Sequence, residues 1–351
     1  MRWSYNLERS RSVAAWLFVV AALVVAMVLV GGATRLTGSG LSITQWRPVT
    51  GVLPPLGAQA WQAEFARYQA IPQYRLLNVG MTLKQFKFIY GWEWTHRLLG
   101  RLVGLVFFVP LVVFLFLKKI PRRLVWRCWL LLALGGLQGL IGWWMVASGL
   151  EARVYVAPER LATHLGLALA IYALAVWTGW EAWTGRPRGG DHYSPPSWIG
   201  WGTALVGLVF LQMLLGGLVA GNHAGLVYND WPMMNGRFVP AAYAARGSEG
   251  HGLWATLVHS QAAVQFDHRM TAYLVVVVVV ALGLTIVAAR NAPSMLKTLA
   301  LVLIGVVTMQ LLLGIATLMA GAPLWLSLIH QLWAVVLLTS ALGLVWRMRR
   351  S

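Results

Sequence analysis

The chain has 351 residues, 59% of them apolar and only 11% charged, with a formal net charge of +18. A soluble domain cannot hide that much apolar surface, and several runs reach the roughly 20 residues that cross a bilayer. Nucleic-acid binding is excluded as the source of the basic excess, because Lys and Arg gather at the ends of apolar runs instead of on one soluble face.

In chain order, the apolar runs predict eight spans. The first covers residues 14–30. It is long and lacks a clear small-residue cleavage site, so it reads as a retained span and not as a signal peptide. A loop rich in Gly, Pro, Thr and Trp follows, over 31–97. The second span, 98–117, stops at Lys118-Lys119-Ile120-Pro121-Arg122-Arg123, and the third covers 124–146. A short connection, 151–160, leads to the fourth at 161–180. A polar linker containing Arg186 and Arg188 precedes the fifth, 198–219. After a second long loop, 220–269, come the sixth, seventh and eighth spans at 270–289, 296–319 and 324–346. The single cysteine, Cys128, rules out an intrachain disulfide or a thiolate cluster and reads as a small buried apolar residue.

An even number of spans puts both termini on one side. Arg2, Arg9 and Arg11, the Lys118–Arg123 loop, Arg186 and Arg188, Arg290 and Lys297, and Arg347, Arg349 and Arg350 all fall on that side, which marks it as cytoplasmic. With no Arg- and Ser-rich transit segment, a bacterial cytoplasmic membrane is the expected location. His96, His164, His268 and His330 open the second, fourth, sixth and eighth spans, and so share one layer near the outer face.

The two halves repeat. Gly31-Gly32, Gly40-Leu41, Trp46 and Gly51 recur as Gly216-Gly217, Gly225-Leu226, Trp231 and Gly236, a shift of 185 (216 − 31). His96-Arg97, Gln138 and Gly142 recur as His268-Arg269, Gln310 and Gly314, shifted by 172 (268 − 96), and His164 recurs as His330, shifted by 166 (330 − 164). Four spans per half make the repeats parallel. The expected fold is therefore an all-α polytopic membrane protein, its eight transmembrane helices forming two parallel-repeat four-helix bundles, 1–185 and 186–351.

In each bundle, two histidines on facing helices leave a flat slot between neutral imidazoles, which suits a haem with two axial ligands. Zinc is disfavoured, since neither half offers a third ligand at motif spacing. A histidine at a helix end also serves as a cap or interfacial residue, but four at repeat-equivalent positions argue for ligands, as ionisable residues in spans usually serve function. His192, His223, His251 and His259 lack this pairing and read as loop residues. Arg97 and Arg269 follow ligand candidates directly, where a guanidinium either holds a propionate or anchors at the interface. Trp46 and Trp231 serve either as lids or as interfacial belt residues. Glu93 lies three residues before His96, on the same helix face. Its repeat equivalent is Gln265 (265 − 93 = 172). Only the carboxylate can take up a proton or balance a developing cation, so the N-terminal half is the reactive one.

These residues resemble the haem A synthase family of proteobacteria and mitochondria. The resemblance covers nearly the whole chain and rests on Gly31-Gly32-Ala33-Thr34-Arg35-Leu36-Thr37-Gly38-Ser39-Gly40-Leu41-Ser42, Trp46-Arg47-Pro48, Phe86-Lys87, Glu93-Trp94-Thr95-His96-Arg97, Met145-Val146-Ala147-Ser148-Gly149-Leu150 and Tyr228-Asn229-Asp230-Trp231-Pro232. Some members carry a cysteine pair in the first outer loop, which this chain lacks. The resemblance implies oxidation of the C8 methyl of haem O to a formyl group, giving haem A for cytochrome oxidase. It implies a resident haem B between His268 and His330, the substrate haem between His96 and His164, and Glu93 beside the substrate. A haem O synthase is the natural donor, and a quinone or another carrier the electron acceptor. A di-haem electron carrier without chemistry is the alternative, and a transporter a third, less suited to ligands at the outer edge.

Overall fold

In an apolar medium a backbone must satisfy its own hydrogen bonds, and runs of Leu, Val, Ala and Ile do so as helices. The computed structural model describes residues 9–185, 194–243 and 252–350. Arg2, the linker arginines Arg186 and Arg188, and His192 and His251 lie outside the described residues. Among the described residues the regular structure is helical, with short 3₁₀ turns at Thr50–Val52 and Ala224–Leu226 and an isolated bridge between Met234 and Arg237.

The long helices are α1 (Arg11–Leu36), α4 (Leu83–Phe116), α5 (Arg122–Ala147), α6 (Pro158–Thr184), α7 (Pro196–Gly221), α9 (Gln261–Ala288), α10 (Ser294–Met319) and α11 (Leu324–Met348). These eight are long and apolar enough to cross a membrane. Shorter helices occupy the long loops: α2 (Gly57–Gln69), α3 (Pro72–Leu77) and α8 (Leu253–His259). The outward faces of α4 and α5 present Leu102, Leu105, Phe108, Val112, Trp126, Trp129, Leu137 and Leu140. That continuous apolar girdle suits lipid and is incompatible with water.

Helix α1 packs against α4 and α6, and α5 closes the set against α6 and α4. In the second half α7 packs against α9 and α11, and α10 against α11 and α9. The halves meet where α6 runs along α7 and α1 along α11. Polar ties cross this seam. Tyr172 Oη and Thr339 Oγ1 are 2.6 Å apart, and Gln331 Nε2 donates to the Val28 carbonyl at 3.0 Å. Within the first half, Pro110 lacks the N–H that would serve the Val106 carbonyl one turn back. Trp16 of α1 supplies it instead, its Nε1 donating at 2.8 Å.

Two predicted starts shift the most. Helix α4 starts fifteen residues before the expected 98 (98 − 83), and α9 starts nine before 270 (270 − 261). Local capping sets both starts. At α4, Thr82 Oγ1 accepts from Gln85 N while Gln85 Oε1 accepts from Thr82 N, and at α9 Ser260 Oγ accepts from Ala263 N. At 34 residues α4 is about 51 Å long, well beyond a hydrocarbon core of about 30 Å. His96 thus sits more than three turns inside α4 (96 − 83 = 13 residues) and His268 about two turns inside α9 (268 − 261 = 7), not at the openings.

Candidate functional site

Each of the four histidines rests on a glycine of a neighbouring helix. A Cβ built on Gly31 of α1 would lie 3.4 Å from His96 Cε1 of α4, and one on Gly142 of α5 would lie 3.0 Å from His164 Cε1 of α6. The second half repeats this: Gly216 of α7 meets His268 at 3.2 Å, and Gly314 of α10 meets His330 at 3.0 Å. A methyl at Gly142, Gly216 or Gly314 would crowd the imidazole by a few tenths of an ångström, whereas at Gly31 it would just reach contact. In each half the two histidine helices pack on one shared helix, α4 and α6 on α1, and α9 and α11 on α7. All four rings are half-buried.

Polar atoms around the rings lack protein partners. Nδ1 of His164 and of His330 is buried without a hydrogen bond, and so is Oε1 of Gln138, Gln212 and Gln310. Gln138 Nε2 donates to the His164 carbonyl at 3.0 Å, and Gln212 Nε2 to the His268 carbonyl at 3.0 Å. Buried groups left unpaired cost about 1–3 kcal/mol each, so a cluster of them marks a place for a ligand. Among the described residues no group of three His, Cys, Asp or Glu side chains converges to hold a bare metal ion. Two imidazoles with no further protein donors suit an iron whose other four ligands come from a porphyrin. The residues therefore fit a haem in each pair.

Glu93 and Gln265 are buried alike, each 3% exposed. Glu93 Oε2 accepts from Ser42 Oγ at 2.7 Å and from Ile43 N at 2.8 Å, and Oε1 accepts from Arg97 Nε at 3.1 Å and Nη2 at 2.6 Å. Arg97 also donates to the carbonyls of Ile43 at 2.8 Å and Gln45 at 2.9 Å. In the other half Gln265 Nε2 donates to the Ala224 and Tyr228 carbonyls at 3.0 and 3.1 Å. Arg269 donates to Tyr228 and Met233 carbonyls at 3.0 Å and to Gln265 Oε1 at 3.3 Å. Both arginines thus clasp the preceding loop onto the histidine helix. The repeat equivalent of Ser42 is Val227 (227 − 42 = 185), so the hydroxyl donor and the carboxylate it serves both belong to the first half alone.

A model of the COX15-CtaA family, described as cytochrome oxidase assembly protein, matches residues 14–342. A protein named heme A synthase from Caulobacter sp. (strain K31) is 58% identical over 343 residues, 98% of each chain. One of the same name from Caulobacter vibrioides is 57% identical over the same length, and one from Methylobacterium radiotolerans is 52% identical over 95% of this chain and 89% of its own. The chain belongs to the COX15-CtaA family.

In this family member, side chains that the sequence reading passed over complete the site. Ser42 and the Ile43 N–H hold Glu93, and Gln212 has no repeat partner of its own kind to flag it. The two tryptophans pack on their own halves: Trp46 stacks on Trp143 at 5.8 Å, and Trp231 Nε1 donates to Tyr273 Oη at 2.8 Å. His223 stands apart from the pairs, 2.6 Å from Arg35 Nη2 and 4.3 Å from the Tyr155 ring. Burial, then the Arg35 charge, pushes it down to about 4. His259 faces Glu159 at 3.8 Å.

Proposed function

We propose that the protein is a haem A synthase, which oxidises the C8 methyl of haem O to a formyl group for cytochrome oxidase assembly. The observation that carries this reading is a difference between two similar histidine cradles: a buried carboxylate, Glu93, one turn before His96, and a buried amide, Gln265, one turn before His268. In this reading residues 1–185 take haem O between His96 and His164, and residues 186–351 keep haem B between His268 and His330. When bound, haem B supplies one-electron transfer, by which electrons leave the substrate site.

The chain's own residues then bind, orient and stabilise. The glycines set the depth of each ring. Arg97 and Arg269 clasp the loops through carbonyls and Glu93 or Gln265, and the Arg269 Nε, buried without a protein partner, is left to serve a propionate. Glu93 stands one turn before His96, beside the edge of the substrate. The loop clasp does not require a charge, because Gln265 performs it as an amide. The carboxylate is left with a second role, stabilising positive charge that develops on the methyl carbon as it is oxidised. Four donors on its two oxygens hold the carboxylate in a fixed place, as a group aimed at developing charge must be held.

The reading places the protein in the bacterial cytoplasmic membrane with both termini in the cytoplasm and the histidines near the outer face. Haem O is insoluble, so a haem O synthase is the natural donor, and a quinone or similar carrier the electron acceptor; nucleic acid has no part. The near equivalence of the two cradles also suits a di-haem electron carrier. Expression beside a haem O synthase in a host lacking haem A separates the two: haem A in the extracted pigment supports the synthase, and haem O that persists unconverted beside folded, haem-loaded protein supports the carrier.

A further inference from the structure

A fixed spacing runs through all four cradles. The residue four before each histidine-bearing glycine lies one turn away on the same helix face. Before Gly142, Gly216 and Gly314 that residue is glutamine: Gln138, Gln212 and Gln310. Before Gly31 it is Met27. Position 27 is the repeat equivalent of 212 (212 − 27 = 185), on the same unbroken stretch of α1 and α7.

The three glutamines share a further property: Oε1 of each is buried without a partner. Gln212 Nε2 lies 3.0 Å from His268 Nδ1, so its amide already sits against the ring. An imidazole that binds metal through one nitrogen carries its proton on the other, and that N–H is ordinarily given to an acceptor, which fixes the ring and raises its basicity. A turn of the Gln212 amide brings its unpaired Oε1 to that position. The carbonyl it leaves is inside α9 and is served by the helix backbone. Met27 offers only a thioether, a weak acceptor. Its methyl points along α4, where a Cβ on Gly100 would lie 3.7 Å from Met27 Cε.

We infer that Gln138, Gln212 and Gln310 are positioning residues that fasten His164, His268 and His330 as ligands, and that Met27 leaves His96 as the one ligand built to release. The inference rests on the haem-pair reading above. A substrate site must let its product go, whereas a resident cofactor must stay, and among the four positions one turn before the glycines, Met27 against Gln212 is where the two sites differ.

Transfer of haem from detergent-purified protein to apomyoglobin, followed by absorbance, reads this directly. The wild type is expected to give one fast and one slow phase. Met27→Gln slows the fast phase about 10- to 100-fold, the usual weight of such a partner, and lowers kcat and KM together because product is held. Gln212→Met speeds the slow phase by a similar factor, and Gln212→Glu, which keeps an acceptor, restores it. Wild-type rates in folded Met27→Gln and Gln212→Met proteins, each carrying two haems, would overturn the inference alone. Met27→Gln decides it by itself if Gln212→Met does not fold. Haem loading that survives His96→Ala and His268→Ala unchanged would take down the haem-pair reading and this inference with it.

Discussion

The Glu93 carboxylate accepts from Ser42, Ile43 and Arg97, while Gln265 gives its amide to two loop carbonyls. Glu93→Gln keeps the shape and removes the charge. It is expected to retain haem in both pairs while lowering haem A formation by about 100-fold, the order of effect of one electrostatic group aimed at a transition state. An unchanged rate with normal haem content would refute the charge role. The glycines make a graded series. Alanine at Gly142 or Gly314 forces a methyl to 3.0 Å from the ring, and at Gly31 to 3.4 Å. The first two should cost about 1–3 kcal/mol as overpacking and weaken the low-spin absorption of the site they touch, with Gly31→Ala the mildest; equal spectra from all three would contradict the cradle geometry.

Among the helices, hydropathy alone marked the eight spans, because a bilayer demands about 20 apolar residues and little else. It misplaced the starts of α4 and α9. Lys84, Gln85, Lys87, Glu93 and Arg97 look like loop by composition, yet the Thr82–Gln85 capping box begins the helix there. The histidines and Glu93 were legible because charge and imidazole stand out near apolar runs. Gln138 was visible only as a repeat match, and Gln212 and Met27 not at all, since an amide or thioether in a span looks like filler until the ring beside it is seen. The partner of Pro110 was likewise invisible. Trp16→Phe removes the donor that serves the Val106 carbonyl. It should cost about 1 kcal/mol, read as a lower midpoint of thermal unfolding in detergent, whereas an unchanged midpoint would mean that the carbonyl is served in another way.

Across the whole molecule, the Gly-Gly steps knit the two halves together. Gly31 meets His96 while Gly32 lies against Gln331, the neighbour of His330. Gly216 meets His268, while a Cβ built on Gly217 would lie 3.2 Å from Cδ2 of Leu165, the neighbour of His164. Each step therefore meets a histidine of its own half with one glycine and a histidine-bearing helix of the other half with the next. A Cβ at Gly32 would overlap the Gln331 amide, so Gly32→Ala should displace the bond to Val28 and cost about 0.5–1.5 kcal/mol. At one end of this seam, Arg35 of α1 donates to the Gly221 carbonyl at 3.0 Å and meets His223. His223 is held neutral in the fold, with its value pushed down to about 4 against an ordinary 6.5. The unfolded chain therefore takes up the proton first as pH falls. The stability this contact contributes is present above about 6.5 and is lost progressively toward 4. Thermal unfolding should weaken over that window, and less so in His223→Gln; identical pH profiles for the two proteins would refute the assignment.

The central claim is that one pair of histidines holds the substrate haem and the other a resident haem. Haem extraction with identification by mass, from purified wild type and two double variants supplied with haem O, tests it most directly. The wild type should yield haem B with haem O or haem A. His96→Ala with His164→Ala should keep haem B and lose the others, and His268→Ala with His330→Ala should lose haem B and form no haem A. The same haem content in all three proteins, or no haem in folded wild type, would contradict the account.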